Sequence, residues 1–202
     1  TDFKFSRLIV INYMLMKTNS QDVKARLCAI GESNVLSILL QKGWDALNIN
    51  GTIKNFKSVD IICFKEDLND WKPLTSFIQV KTSVGKNIPI GFKIEDCLNR
   101  DELEKKVLGP YVFVYVQIKN GVYEFRYFIL SRSQFIDLAN QSHEYYTKGY
   151  KRVKEINLDS VAGLNLHWLE GKSDNETLNH RAFNNPLNGI SCENKWENIW
   201  LE

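Results

Sequence analysis

The order of apolar and polar residues in the first part of the chain predicts one helix followed by three strands. Residues 22–42 carry apolar side chains at helical spacing, which gives this helix one stripe that faces a core. Gly43 ends the helix, and strands are predicted over residues 46–50, 58–64 and 77–82. The predicted apolar stripe consists of Leu27, Cys28, Val35, Leu36, Leu39 and Leu40.

The following segments alternate between helical and strand-like patterns. Glycines and a proline indicate a loop over residues 82–93, and residues 94–107 have a helical pattern. Strands over residues 111–118 and 122–130 flank an Asn-Gly turn typical of a hairpin, and a capped helix follows over residues 132–141. The elements therefore follow in the order αβββαββα, which predicts an α/β (α+β) fold.

Polar side chains occupy strand positions where a buried strand is normally apolar. Alternate side chains of a strand share a face, so Gln79 and Lys81 point the same way, and Asp60 shares its face with Ile62. Glu32 lies within the apolar stripe of the first helix. Such groups are costly inside a protein unless something uses them, and a divalent cation acting on a phosphate would use them. We therefore expect the four chemically active side chains to converge.

The order of Glu32, Asp60 and the Gln-Val-Lys triplet at 79–81 resembles the PD-(D/E)xK nuclease superfamily, which has the restriction-endonuclease-like fold. In that superfamily an Asp ends or centres one strand, and an acidic residue and a Lys lie one residue apart on the next strand. Many members add a Glu on the first helix. This chain departs from the pattern twice, because Val59 stands in place of the motif's Pro and Gln79 replaces the second acid.

The resemblance implies a restriction-endonuclease-like core with a mixed central sheet flanked by helices. We expect this core over residues 22–141, after an N-terminal segment over residues 1–21. Residues 142–202 are then a C-terminal extension that packs on the core.

The resemblance also implies a Mg²⁺ (or Mn²⁺) site and assigns a role to each residue. Asp60 would be the central ligand, with the side-chain carbonyl of Gln79 and the backbone carbonyl of Val80 beside it. Glu32 would bind the ion through water or bind a second ion. Lys81 would orient or deprotonate the attacking water and stabilise the charged phosphate. Because the site has two carboxylates instead of three, we expect weaker metal binding, not its absence.

Each of these residues alone has a simpler interpretation. Asp60 could cap a turn at a strand end, Lys81 could be a surface lysine on an edge strand, and Glu32 could lie at the border of the helix stripe. The three simpler interpretations weaken together, because all three residues fall at the expected places of one fold.

The charge of the chain gives little indication of a partner. The chain has 202 residues, and its 26 basic residues are offset by 24 acidic ones, leaving a net charge of +2. A nucleic-acid-binding face therefore needs clustered basic residues. The candidates are Ser83, Lys148, Lys151, Arg152 and Lys154. Tyrosines interleave with the last four, and they could either stack on bases or pack inward against the protein.

The four cysteines are scattered and form no CxxC pair, which argues against zinc and against a disulfide framework. Cys28 and Cys63 lie in apolar stretches and are predicted to be core residues. The apolar segment 8–16 is too short to cross a bilayer. We therefore expect a cytoplasmic protein without a membrane partner. The tryptophans Trp168, Trp196 and Trp200 are expected in the core, and the three histidines are expected to be structural.

The leading hypothesis is a metal-dependent endonuclease that hydrolyses DNA phosphodiester bonds in restriction, defence or mobile-element maintenance. Such nucleases often cut duplexes as homodimers, so a homodimer is a further expectation. The alternative is a catalytically decayed nuclease fold that acts as a nucleic-acid-binding or protein-interaction module. A nuclease effector delivered into rival cells, and RNA as the substrate, are additional alternatives.

Overall fold

The computed structural model describes residues 21–50, 58–66, 72–120, 122–152 and 155–201. The predicted N-terminal segment lies outside these residues except for its last position. The helices are α1 (Gln21–Gln41), α2 (Ile94–Leu98), α3 (Arg100–Lys106), α4 (Arg132–Lys148) and α5 (Leu166–Leu169), and Trp196–Trp200 form a 3-10 helix. The strands are β1 (Asp45–Asn48), β2 (Ile61–Lys65), β3 (Leu74–Ser83), β4 (Asn87–Lys93), β5 (Tyr111–Lys119), β6 (Val122–Leu130) and β7 (Val161–Asn165).

Five strands form a mixed sheet in the order β1-β2-β3-β5-β6. Neighbouring strands are antiparallel except β3 and β5, which are parallel. A parallel pair needs a crossover connection, and here β4, α2 and α3 provide it. The predicted α/β (α+β) fold with a mixed sheet and flanking helices is therefore confirmed.

Alternating side chains of the sheet build two separate cores, one on each face. Tyr111 and Phe113 of β5 face the side that α4 covers, where Phe135 stacks on Tyr111 with ring centroids 3.6 Å apart. Val112 and its alternate neighbours face the opposite side, where Val35 of α1 packs. The two-sided burial explains why β5 is an almost continuous apolar run.

The predicted apolar stripe of α1 is only partly buried. Val35 and Leu39 are buried, as expected, but Cys28 and Leu40 are exposed. The prediction that Cys28 belongs to the core was therefore wrong, whereas Cys63 is buried.

The segment predicted as a loop over residues 82–93 contains strand β4, which was missed. Ile88 and Ile90 are buried on one side of β4, in the alternation of a half-buried strand. Pro89 lacks an N–H, and Gly91 has φ of +89°, so both residues suggested a strand breaker. The strand nevertheless pairs antiparallel with β7 in a separate two-stranded sheet.

The helical part of the connection also differs from its prediction. Residues 94–107 form two helices instead of one, because the chain is extended at Asn99, whose side chain accepts a hydrogen bond from Glu102 N and caps α3. The order αβββαββα is thus corrected by one additional strand, β4, by the division of this helix and by the elements β7 and α5 that follow α4.

Helix α4 begins at its predicted Ser131 cap but continues to Lys148, seven residues past the predicted end at 141. It therefore crosses the boundary expected between the core and the C-terminal extension. Residues beyond α4 pack against the cores: Trp168 and Trp196 are buried, as predicted, and Trp200 is partly buried.

Candidate active site

Asp60 immediately precedes β2 and lies opposite Gln79 of β3. Its N–H donates to the carbonyl of Ile78 over 2.8 Å, which extends the antiparallel register in which Ile61 faces Ile78. Both residues are buried: Asp60 is 8% exposed and Gln79 is 6% exposed. Asp60 Oδ2 accepts a hydrogen bond from Val80 N at 2.7 Å and another from Gln79 Nε2. The structure thus brings two of the predicted residues into direct contact.

Two asparagines that sequence reasoning missed connect Asp60 to Glu32 of α1. Asn50 Nδ2 lies 2.8 Å from Asp60 Oδ1 and 3.4 Å from Glu32 Oε2. Asn48 Nδ2 donates to the same Glu32 oxygen over 3.1 Å. In the sequence, Asn50 precedes a glycine, an arrangement typical of a tight turn and not of a functional site. The four residues form a continuous hydrogen-bonded chain, here called the acid–amide cluster.

Lys81 lies beside this cluster, two residues after Gln79 on the same face of β3. Burial lowers the pKa of the Lys81 ammonium, while the nearby Asp60 carboxylate, the Cys28 thiol and the Glu32 carboxylate act in the opposite direction. A lysine with a lowered pKa has a larger neutral fraction near pH 7, and the neutral amine can accept a proton. Sequence pattern alone predicted the position of Lys81 but not this effect.

Strand β4 covers Lys81 from the side of the two-stranded sheet. A Cβ atom placed on Gly91 would lie 3.3 Å from Lys81 Nζ, so the glycine allows β4 to approach the ammonium closely. Gly91 also has a positive φ that side chains other than glycine rarely adopt. The contact explains part of the burial of Lys81 and depends on a segment that was predicted to be a loop.

Helix α1 approaches β3 closely next to Glu32. A Cβ atom on Gly31 would come within 1.9 Å of Thr82 Oγ1, so only glycine fits there without a shift. Thr82 Oγ1 is buried and has no hydrogen-bond partner among the described residues. This close approach determines the position of Glu32 along β3.

The oxygens around the cluster fit a hard divalent cation by their chemistry. Mg²⁺ and Mn²⁺ prefer carboxylate and carbonyl oxygens, and Asp60, Glu32 and the backbone of Val80 supply them. In a strand the C=O of a residue points to the same edge as its N–H, so the Val80 carbonyl lies on the Asp60 side of β3. Asn48 Oδ1 is buried without a hydrogen-bond partner in the described part of the chain, so it is free to accept a cation or a donor.

The carboxylate count of the cluster is low for a metal site. Within the residues that the structure describes, no group of three or more His, Cys, Asp or Glu side chains is arranged to hold a metal ion. Gln79 turns its amide nitrogen, not its carbonyl, towards Asp60. A cation held here would therefore replace N–H donors that now contact the two acids.

Those predicted nucleic-acid-binding residues whose side-chain contacts the structure describes each contact a different part of the protein. Lys148 forms an ion pair with Glu144 at 3.2 Å, and Lys151 forms one with Glu176 at 2.5 Å. Arg152 is exposed, and Lys154 lies outside the described residues. The side chain of Ser83 forms hydrogen bonds within its own turn, with Gly85.

The tyrosines among these basic residues pack against the protein. Tyr145 stacks on Phe183 with ring centroids 4.9 Å apart, and Tyr150 lies 4.0 Å from the His180 ring. Of the two interpretations left open by the sequence, the inward packing is observed for these two side chains.

The histidines have structural contacts. His143 is buried, and its Nδ1 contacts the carbonyl of Ala139 at 2.7 Å, which requires a proton on Nδ1. Burial lowers the pKa of His143, so the ring is neutral near pH 7. His167 Nε2 lies 2.6 Å from Asp174.

Comparison with protein-family models, curated proteins and solved structures finds no match for this chain. Among the helices that the structure describes, none has the length and apolar character needed to span a bilayer.

Proposed function

We propose that the protein is a metal-dependent endonuclease that hydrolyses DNA phosphodiester bonds. The observation that carries this proposal is the meeting of Glu32, Asp60, Gln79 and Lys81, which come from α1, the start of β2 and β3. These residues were singled out by the order in which they occur in the sequence. Their convergence supports the resemblance to the PD-(D/E)xK superfamily, because a chance match has no reason to assemble in space.

The residues of the candidate active site divide into a group that would hold a cation and a lysine that would handle a proton. Asp60, Glu32, the backbone carbonyl of Val80 and Gln79, once its amide is turned so that the carbonyl faces the ion, would hold Mg²⁺ or Mn²⁺. The bound ion would neutralise charge on the phosphate and activate water. Lys81 orients the attacking water and takes its proton, since burial favours the neutral amine. After proton transfer, the Lys81 ammonium stabilises the negative charge of the phosphate.

The order of elements around the cluster also supports this function. The Glu lies on the first helix of the described chain, the Asp opens β2, and the Gln and Lys lie on the adjacent β3. We extend the proposal to a cytoplasmic location, since no cysteine is engaged in a disulfide. Cleavage of both strands of a duplex by a homodimer belongs to the same proposal.

A second candidate is a binding module that has lost catalysis, and one observation favours it. Both oxygens of Asp60 already accept N–H donors, from Asn50 on one side and from Gln79 and Val80 on the other. A carboxylate satisfied in this way is stable without a cation. The two candidates therefore differ in whether a metal ion can displace these donors.

Cleavage of supercoiled plasmid DNA in Mg²⁺ or Mn²⁺ tests the proposal. We expect nicked or linear product with the wild type, and none with Asp60→Asn or Lys81→Ala. Lys105→Ala, which changes an exposed lysine of α3 that belongs to no proposed site, is the matched control and should cut normally. Equal activity in all four proteins contradicts the proposed site. DNA binding without any cleavage of DNA or RNA favours the binding module.

A further inference from the structure

The side-chain amide of Asn50 lies between the two carboxylates of the acid–amide cluster. Its Nδ2 is 2.8 Å from Asp60 Oδ1 and 3.4 Å from Glu32 Oε2. An amide nitrogen carries two hydrogens, so it can donate to both acids at once. We propose that Asn50 is a placeholder for the cation: its amide nitrogen bridges the two carboxylates until a divalent ion displaces it. The inference rests on the proposed function only in taking the cluster to be a cation site.

Electrostatics gives the reason for such a placeholder. Two carboxylates that face one point repel each other, and their repulsion is stronger where water is partly excluded. The partial positive charges of the Asn50 N–H groups offset this repulsion without adding a full charge. A divalent ion offsets the repulsion between the carboxylates more strongly, so it displaces the amide when its concentration is high enough.

Asn48 supplies a second, independent observation at the same place. Its Nδ2 donates to Glu32 Oε2 at 3.1 Å, and its Oδ1 is buried without a partner among the described residues. A buried oxygen without a donor is costly, and a cation or one of its bound waters would satisfy it. The unpaired Asn48 Oδ1 therefore indicates that the cluster lacks a positively charged group. This agrees with a neutral side chain that occupies the position of an ion.

The proposal also relates Asn50 to the missing acid of the motif. Gln79 leaves the cluster with Asp60 and Glu32 as its only carboxylates within the described residues. Because Asn50 contacts both of them, Asn50→Asp would place a third carboxylate between the first two. Cation affinity rises with the number of charged ligands, whereas repulsion among the acids rises as well when no ion is bound.

Mn²⁺ titration followed by electron paramagnetic resonance of the free ion tests this, together with melting temperatures with and without Mn²⁺. We expect Asn50→Asp to bind Mn²⁺ about tenfold more tightly than the wild type, or better. Asn50→Ala, which removes the competing donor, should bind at least as tightly as the wild type. Both variants should melt lower without Mn²⁺, and Asn50→Asp should gain more from the ion. Asn175→Asp, an exposed position with the same charge change, is the matched control.

Three results would overturn the proposal. Loss of Mn²⁺ binding in Asn50→Ala would make Asn50 a ligand and not a placeholder. A folded Asn50→Asp with unchanged affinity would mean that the amide does not lie at the ion's position. Absence of Mn²⁺ binding in every variant would remove the site. If Asn50→Asp does not fold, Asn50→Ala still decides. Mn²⁺ binding by the wild type without DNA cleavage contradicts the proposed nuclease and leaves this inference intact.

Discussion

Two regions of the molecule carry the polar residues that the sequence marks as functional, and their contacts differ in kind. Among the described residues, the carboxylates of Asp60 and Glu32 in the acid–amide cluster accept hydrogen bonds only from neutral amides, and no ion pair joins them to Lys81. In the basic segment at the end of α4, Lys148 and Lys151 each pair with an acid of the protein. Charges that a protein leaves uncompensated are available to a ligand, whereas paired charges are already used.

The largest effect expected within this comparison concerns Lys81. Lys81→Arg keeps the charge but cannot lose its proton in the physiological range, because arginine is always protonated. We expect the rate of plasmid cleavage by the wild type to rise with pH as the Lys81 ammonium, whose pKa is lowered, loses its proton. The arginine variant should be on the order of 100-fold slower and should lack the rise.

A pH–rate profile of both proteins from pH 6 to 9 measures this difference. If Lys81→Arg kept both the cleavage rate and its increase with pH, Lys81 would supply only positive charge. Its role would then be closer to that of the lysines in the basic segment.

The next largest effect concerns the close approach of α1 to β3. A Cβ on Gly31 would lie 1.9 Å from Thr82 Oγ1, so Gly31→Ala should lower the free energy of unfolding by about 1–3 kcal/mol. Thr82→Val replaces a hydroxyl without a partner by a methyl group and should be neutral or slightly stabilising. The double variant Gly31→Ala/Thr82→Ala should recover part of the loss, since the smaller side chain makes room.

Urea unfolding of the wild type and the three variants provides these values. Plasmid cleavage by Gly31→Ala tests whether the position of Glu32 along β3 matters for activity. Equal stability of Gly31→Ala and the wild type would show that helix and strand are not held at this distance in solution.

A smaller effect is expected for His143 in α4. Burial lowers its pKa, whereas the unfolded chain titrates near the ordinary value of about 6.5. As the pH falls through this value, the unfolded state binds a proton that the folded state does not, so stability decreases until the lower folded pKa is reached. His143→Gln should remove this contribution to the pH dependence. Urea unfolding at pH 7.5 and 5.5 checks it; identical losses in both proteins would contradict the structural role.

The smallest effects are expected in the basic segment. The ion pair between Lys148 and Glu144 is exposed, and such pairs contribute little because water and salt screen them. Lys148→Ala and Lys151→Ala should leave cleavage and the melting temperature nearly unchanged. A clear loss of DNA binding in both, measured by fluorescence anisotropy at two salt concentrations, would restore this segment as a DNA-binding face.

Local patterns predicted those parts of the fold that depend on local sequence. Helical spacing located α1, and alternation with β-branched residues located β3, β5 and β6. Strand β4 was missed because Pro89 and Gly91 are unfavourable in most strands, and its partner β7 lies about 70 residues later. Pairing over such a distance overrides local preference, and no local pattern records it.

The same distinction applies to the candidate site. Asp60, Gln79 and Lys81 could be predicted because they are polar residues within otherwise apolar, strand-like sequence. Asn48 and Asn50 could not, because asparagine is ordinary next to a turn and its contacts with two acids depend on how α1 lies across the sheet. The stacking of the Tyr145 ring was equally hidden, since it depends on Phe183, which lies far along the chain.

The pairing of β4 with β7 has a consequence for how the protein is made. Strand β4 carries Gly91 over Lys81, but its partner β7 begins only at Val161, and Ser76 of β3 donates to the carbonyl of Ile199 over 2.7 Å. On the ribosome, Lys81 emerges early, whereas β7, the partner of the strand that covers Lys81, emerges late. Lys81 therefore gains its paired cover only after the residues of β7 have been synthesised.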